Sequence, residues 1–135
     1  MPLLFRAATL CATVLAADSV VALGRRILPK AETEAEARRC LALLSGRRHR
    51  VLGGVAVGSA GKVSTRLVET VVRFKRLEPS EVEGYIRSGE WQGKAGGYAI
   101  QGRAAAFVAF LSGSYSNVVG LPLFETAAML RAASP

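Results

Sequence analysis

The residues in this chain that are best suited to chemistry lie at positions 94–102, Lys-Ala-Gly-Gly-Tyr-Ala-Ile-Gln-Gly, between two apolar segments. Gly96 and Gly97 allow positive φ and a close approach of a ligand to the backbone. Lys94 can hold an anionic group, and the Gln101 amide offers both a donor and an acceptor, which the edge of a nucleobase requires. The stretch predicts a binding site, and a tight turn with a solvated Gln101 is the alternative.

A carboxylate, Asp18, follows an apolar run at residues 13–17. A continuous apolar run is typical of a parallel strand that is covered on both faces. Open α/β sheets present ligand-binding groups where such strands end, so Asp18 is a candidate for catalysis, with a cap or turn as the alternative. Lys30 follows a predicted hairpin at residues 20–28 and is either a phosphate contact or a solvated lysine.

Two capping boxes predict the starts of helices that would support these residues. Thr33 and Glu36 form the first, and that helix is expected to end at Ser45-Gly46; Ser80 and Glu83 form the second. Between the two helices, residues 51–57 and 63–74 are rich in β-formers and flank a short loop, which predicts a meander.

The C-terminal third is expected to contain a core strand, a loop and a helix. The apolar residues 104–111 predict the strand, and residues 114–120 predict a loop whose serines and Asn117 either line a pocket or form local turns. Pro122 is expected in the first turn of the last helix, whose apolar stripe would consist of Leu123, Ala127 and Leu130.

Single residues limit the kinds of chemistry that are available. His49 is the only histidine, which excludes a metal cluster built from histidines and a Ser-His-Asp triad. We expect His49 to be structural or partly exposed, within a basic run that either attracts an anion or is simply solvated. Glu90 is either a structural residue or a ligand on the metal and phosphate side of a site.

The composition predicts one domain spanning residues 1–135 and an anionic partner. Half of the 135 residues are hydrophobic and the formal net charge is +8. Scattered arginines and few aromatic residues argue against an extended nucleic-acid track. Cys11 and Cys40 are expected to be buried thiols in a reducing compartment, which predicts a cytoplasmic protein. No apolar run is long enough to span a membrane, and a secretory signal over residues 1–17 is the alternative reading of the N-terminus.

Four motifs in order resemble the Maf family of nucleoside triphosphate pyrophosphatases. They are Leu-Ala-Ala-Asp-Ser-Val-Val at residues 15–21, Leu-Ser-Gly at residues 44–46, the stretch at 94–102, and Gly-Ser-Tyr-Ser-Asn-Val-Val-Gly-Leu-Pro-Leu at 113–123. The resemblance covers residues 14–130 and leaves residues 1–13 atypical. It implies an α/β fold with a mixed, twisted sheet and flanking helices, as in Maf and ITPase proteins. Residues 97–102 keep the Gly-Tyr-(Ala/Gly)-Ile-Gln-Gly pattern of the members that act on dTTP and UTP.

The resemblance also implies roles for particular residues. Asp18 would activate the attacking water and help to hold a divalent metal, Mg²⁺ or Mn²⁺, and Ser19 would influence the choice of substrate. Lys30 and Lys94 would contact phosphates, and Gln101 would read the base. The chain departs from the family pattern at Gly53-Gly54, where Thr-Gly is usual, and we expect this change to loosen the start of the strand.

The family has an N-terminal segment with a Ser-Ala-Ser-Pro-Arg-Arg-like motif that this chain lacks. The resemblance therefore implies an N-terminally truncated form of the enzyme. Loss of two phosphate-binding arginines is expected to slow hydrolysis by roughly two to four orders of magnitude. The alternatives are an inactive nucleotide-binding remnant and a small basic domain associated with nucleic acid, and a homodimer is a further open question about partners.

Overall fold

A computed structural model of the chain describes residues 13–133. The strands are β1 (Val14–Leu23), β2 (Arg26–Leu28), β3 (Arg48–Ser59), β4 (Lys62–Phe74) and β5 (Val108–Ser112). The helices are α1 (Glu34–Leu44), α2 (Pro79–Ser88), a 3₁₀ helix (Arg103–Phe107), α3 (Tyr115–Val119) and α4 (Leu123–Ala133). The first twelve residues, which include Cys11 and most of the alternative secretory signal, lie outside the described part.

The five strands form one sheet in the order β2-β1-β3-β4-β5, with helices packed against it. This confirms the predicted α/β organisation, but the expected mixture of strand directions is not seen, since all four pairings between described strands are antiparallel. Two of these pairings have a local reason: short turns connect β1 to β2 and β3 to β4, and a strand joined to the next by a tight turn runs antiparallel to it. The predicted hairpin and meander are both confirmed.

Strand β1 corrects the expected placement of Asp18. Its pairing with β3 is continuous from Val14 to Ala22, so residues 13–17 do not form a separate buried strand that ends at Asp18. Asp18 lies in the middle of a ten-residue strand, opposite Gly54. Leu15, Ala17 and Asp18 are exposed, so this half of the strand is not covered on both faces, although residues 14–17 are all apolar.

The two predicted helices are present, and one of their caps differs. Helix α1 has the expected capping box, in which the Thr33 hydroxyl accepts from the Glu36 amide and the Glu36 carboxylate accepts from the Thr33 amide. In α2 the box is formed by Glu78 and Glu81, and Ser80 is already inside the helix. Pro79 occupies the first turn, where its missing N–H costs nothing, and the N-cap is Glu78, two residues before the predicted Ser80.

The main core lies between the sheet and the helices α1 and α2. Leu41, Leu44, Val72 and Phe74 are completely buried there, and Tyr85 and Trp91 are almost so. A smaller cluster forms where Met129 of α4 packs on Val55 and Val57 of β3. Thr126 and Met129 are the buried residues of α4; Leu130 of the predicted stripe packs partly buried against the same cluster, whereas Leu123 and Ala127 are exposed. The helix is apolar almost all round, so its periodicity does not select one face.

Two further C-terminal predictions are corrected. Residues 103–107 form a 3₁₀ helix, and only Val108–Ser112 form a strand, which pairs with the last four residues of β4. Residues 115–119 form a short helix rather than a loop; the Ser114 hydroxyl accepts from the Asn117 amide at its start, as the alternative of a local serine turn predicted.

No helix in residues 13–133 combines the length and the apolar character that crossing a bilayer requires.

Candidate functional site

Five of the residues that the sequence singled out for binding or catalysis line one cavity of about 260 Å³. Asp18 and Ser19 come from β1, Lys30 from the segment after β2, and Lys94 and Gln101 from the loop between α2 and the 3₁₀ helix. Apolar side chains of Val21, Val51, Tyr98, Ile100 and Val118 form much of the remaining wall. The fold therefore gathers three distant parts of the sequence around one open space.

The charged groups that line this cavity, within the described residues, are one carboxylate and two ammonium groups. Asp18 is exposed, and its Oδ1 accepts a hydrogen bond from the Ser19 amide at 2.9 Å. Both lysines are also exposed, so each ammonium can move to meet a ligand. An open cavity with this balance of charge favours an anionic ligand over a neutral one.

Backbone hydrogen bonds bring the two lysines to the same rim. Lys30 and Ala95 form an isolated antiparallel bridge. Ala31 donates to the Lys94 carbonyl at 3.0 Å, and Gly93 donates back to the Ala31 carbonyl at 2.8 Å. The rim thus depends on the segment after β2, whose position is in turn fixed by the short hairpin of β1 and β2.

The paired glycines of the loop are required by the space around them. Gly96 and Gly97 have φ of +68° and +78°, a region that side chains with a Cβ rarely adopt. A Cβ on Gly96 would lie 3.1 Å from the Val21 side chain, and one on Gly97 would lie 3.4 Å from that of Cys40. The predicted positive φ is confirmed, and the close approach at these glycines is that of the loop to β1 and α1.

Beneath the loop, a buried polar contact joins it to the sheet. The Tyr98 hydroxyl lies 2.6 Å from His49 Nε2, and both residues are almost completely buried. Burial lowers the pKa of His49 to about 4, so the ring is neutral near pH 7. Of the two expectations for His49, the structural role is confirmed and partial exposure is wrong.

Asn117 supports the opposite wall of the cavity through contacts with distant strands, which neither of the two roles expected from the sequence included. Its side chain is fully buried, and Nδ2 donates to the Val51 and Val68 carbonyls and to Thr70 Oγ1, each at 3.1 Å. It does not line the cavity; the residues after it, Val118 to Gly120, do. Asn117 therefore attaches α3 to the two central strands.

The same contact corrects the interpretation of Gly53-Gly54. A Cβ on Gly53 would lie 1.8 Å from Asn117 Oδ1, so this position has room for glycine only. Gly53 does not loosen the strand; it makes the space that the Asn117 amide occupies, directly opposite Ser19 on β1. Paired glycines inside an otherwise β-rich segment were the available signal of a close approach.

Glu90 does not line the cavity. Its Oε1 accepts from the Arg103 amide at 3.1 Å, and a Cβ on Gly102 would lie 1.7 Å from the same oxygen. The carboxylate holds the end of the loop at the start of the 3₁₀ helix, so the structural alternative for Glu90 is the one that the contacts favour.

Comparison with known proteins shows the family to which the chain belongs. The family model described as "Maf-like protein" matches residues 4–133 of the chain. The chain belongs to the Maf family. It is similar to proteins named dTTP/UTP pyrophosphatase from Granulibacter bethesdensis, with 68% identity over 119 residues, and from Maricaulis maris, with 65% identity over 120 residues. A protein of the same name from Mesorhizobium japonicum is 64% identical over 118 residues.

These three matches cover 87%, 88% and 87% of this Maf-like chain and 56%, 58% and 57% of the respective relatives. The chain thus spans little more than half the length of these relatives. Its match with them and with the family model agrees with the resemblance inferred from the motifs.

Proposed function

We propose that this Maf-like chain binds dTTP or UTP in the cavity and hydrolyses it to the nucleoside monophosphate and pyrophosphate. The observation that carries the proposal is the convergence of Asp18, Ser19, Lys30, Lys94 and Gln101 on one open cavity. The names of the similar proteins from Granulibacter and Maricaulis support the same substrates.

Gln101 reads the base in this proposal. Uracil and thymine present an acceptor, O4, beside a donor, the N3–H, and a carboxamide can complement both at once. The Gln101 side chain is exposed, and the loop beneath it is held by the backbone and by buried tyrosines, so the amide can reach a base without rearrangement of the core.

The two lysines hold the triphosphate. Lys30 and Lys94 lie on one rim because their backbone segments are bridged, and each carries an exposed ammonium group. A mobile ammonium neutralises non-bridging phosphate oxygens as a point charge and can follow them as charge builds up on the leaving pyrophosphate.

Asp18 acts as the general base. One of its oxygens is engaged by the Ser19 amide, which leaves the other free to take a proton from water. The water oxygen bonds to the α-phosphorus as the bond from that phosphorus to the bridging oxygen of the β-phosphate breaks. Pyrophosphate leaves with the electron pair of that bond, and the proton passes from water to the carboxylate.

A divalent cation, Mg²⁺ or Mn²⁺, fits the donor set at Asp18 as a carrier of charge between protein and substrate. Among the described residues, no group of three or more His, Cys, Asp or Glu side chains could hold a metal ion by protein contacts alone. Mg²⁺ commonly binds through one or two carboxylates together with substrate phosphates and water, so the one carboxylate of the cavity suffices. Its chemistry when bound would be to neutralise phosphate charge.

The test is pyrophosphate release from UTP and dTTP with Mg²⁺ or Mn²⁺, in the chain and in Asp18→Asn. We expect the variant to lower the rate by at least about 100-fold, because the amide cannot accept the proton. Glu32→Gln is the matched control, since Glu32 is exposed and does not line the cavity, and it should leave the rate unchanged.

The outcomes separate the alternatives. Tight nucleotide binding with no release above Asp18→Asn would contradict hydrolysis and identify a nucleotide-binding protein without the chemistry. Binding of oligonucleotides that weakens steeply with salt and does not respond to Gln101→Ala would identify the nucleic-acid-associated alternative.

A further inference from the structure

Two tyrosine hydroxyl groups attach the part of the loop just before Gln101 to the core. Tyr98 Oη lies 2.6 Å from His49 Nε2, and Tyr85 Oη accepts a hydrogen bond from the Ala99 amide at 3.3 Å. These contacts fall on consecutive residues, two and three positions before Gln101. Gln101 itself makes no side-chain hydrogen bond to any residue in 13–133, so its direction depends on the backbone that these tyrosines hold.

The contact between Tyr98 and His49 is the shorter and more buried of the two. His49 is 2% exposed and Tyr98 is 6% exposed. The His49 ring packs edge-on against Phe74, with the ring centres 5.2 Å apart, and edge-on against Tyr98 at 5.5 Å. Phe74 also contacts Tyr98 at 4.8 Å. The tyrosine ring is therefore fixed by two aromatic neighbours as well as by its hydroxyl group.

The polar partners at this contact are few. His49 Nδ1 has no hydrogen-bond partner among the described residues, which leaves Nε2 as the ring atom that anchors the imidazole. A buried pair of this kind is costly to break, because each group then loses its only partner away from water. This contact therefore fixes the position of the Tyr98 ring relative to His49 on β3.

Tyr98 also belongs to the wall of the cavity, together with Ala99, Ile100 and Gln101. A shift of the Tyr98 ring is transmitted to Gln101 through two intervening residues, of which Ile100 is 3% exposed and packed in the core. The path from the sheet to the base-reading amide is thus short and tightly packed.

We propose that the buried hydrogen bond between Tyr98 and His49 positions the Gln101 amide for the base of the nucleotide. This inference rests on the proposed function, in which Gln101 contacts uracil or thymine. Tyr98 and His49 are positioning residues: they act on the base through Gln101 and take no part in the reaction at phosphorus.

The test is a double-mutant cycle on steady-state hydrolysis of UTP, with Tyr98→Phe, Gln101→Ala and the combination. Tyr98→Phe should raise KM for UTP about tenfold with kcat nearly unchanged, because a contact made equally in ground and transition states is lost. In the Gln101→Ala background the same change should have almost no further effect on KM, since the amide it positions is gone. A merely structural role would give the same KM change in both backgrounds.

The matched control is Tyr115→Phe, which removes a hydroxyl from an exposed tyrosine outside the cavity and should leave KM and kcat unchanged. Two further variants keep the test decisive where Tyr98→Phe does not fold. His49→Leu removes the partner of Tyr98 and should raise KM, whereas His49→Gln retains a polar group in reach of the hydroxyl and should restore KM toward the wild-type value.

The result separates this inference from the proposed function. If the wild-type chain hydrolyses UTP and the effects of Tyr98→Phe and Gln101→Ala simply multiply, the positioning role is wrong and the proposed function stands. If there is no hydrolysis, the same cycle is measured as the Kd of a UTP analogue with a non-hydrolysable α,β-imido bridge. Absence of binding by the wild-type chain would overturn both proposals.

Discussion

The two ends of strand β4 lie in opposite environments. In the first six residues, Lys62–Leu67, every residue is exposed, with Val63 and Leu67 at 51% and 69%. We call this the open end. At the other end, Val72 and Phe74 are completely buried beside His49 and the loop that carries Gln101. We call this the packed end.

The difference comes from what lies against each end. Strand β5 pairs only with Val71–Phe74, and α1, α2 and the loop cover the same region, whereas the open end pairs with β3 alone among the described strands. Burial, and with it most of the stability gained per residue, is thus concentrated beneath the candidate site. Substitutions should lower the free energy of unfolding strongly at the packed end and in the part of β3 that pairs with the middle of β4, and change it little at the open end.

The largest effect is expected for Gly53→Ala on β3, opposite Val68 in the middle of β4. The added methyl group would meet Asn117 Oδ1 at 1.8 Å, and Asn117 cannot move without losing its hydrogen bonds to both central strands. We expect a loss of about 3 kcal/mol in the free energy of unfolding, measured by urea denaturation.

Gly54→Ala is the matched control for this substitution. A Cβ there would have the Asp18 carbonyl oxygen at 3.9 Å as its nearest atom, which is an ordinary contact. The two variants differ by one position on the same strand, so equal stability losses would show that Asn117 does not act as a wedge at Gly53.

A smaller difference in stability is expected between alanine substitutions at two valines of β4. Val72→Ala removes two methyl groups from the packed core and should lower the free energy of unfolding by about 2 kcal/mol. Val63→Ala at the open end should change it by less than about 0.5 kcal/mol. Thermal or chemical denaturation of the two proteins measures both values. A large effect at Val63 would mean that something covers the open end in solution.

The smallest effect is a dependence of stability on pH that comes from His49. Its pKa is 6.5 in the unfolded chain and about 4 when buried, so between these values the unfolded state binds a proton that the folded state does not. Stability is therefore complete above pH 6.5 and falls as the pH drops toward 4. From pH 7.5 to 5.5 we expect a loss of roughly 1 kcal/mol.

The control for this dependence is His49→Gln, which has no titrating ring and should show a flatter profile between pH 7.5 and 5.5. Glu81 and Glu83 have pKa values lowered by hydrogen bonds to Lys75 and Arg38, so their contributions are lost only below about pH 4.5. An unchanged slope in His49→Gln would mean that another group causes the dependence.

Local features were well predicted from the sequence, since short-range rules govern them. The Thr33 capping box, the end of α1 at Ser45-Gly46 and the hairpin at residues 20–28 all depend on residues within a few positions of one another. The motifs also indicated the family correctly, because a motif is a local sequence pattern that can be recognised without knowing which segments meet in the fold.

Features that depend on distant partners were missed or misplaced. The role of Asn117 requires Gly53, more than sixty positions earlier, and the burial of His49 requires Tyr98. The direction of the strands and the buried face of α4 also depended on neighbours, since small apolar residues such as those of α4 fit several faces equally well.

By itself the sequence determined the local units and the chemical groups that the site could use: one carboxylate on β1, two lysines, an amide and glycines that permit a tight loop. Only the tertiary structure decided that these groups line one cavity and that Tyr98 attaches the loop to His49 of β3. The physical reason is that burial and buried hydrogen bonds arise between segments distant in the chain, and no local pattern records which of them will meet.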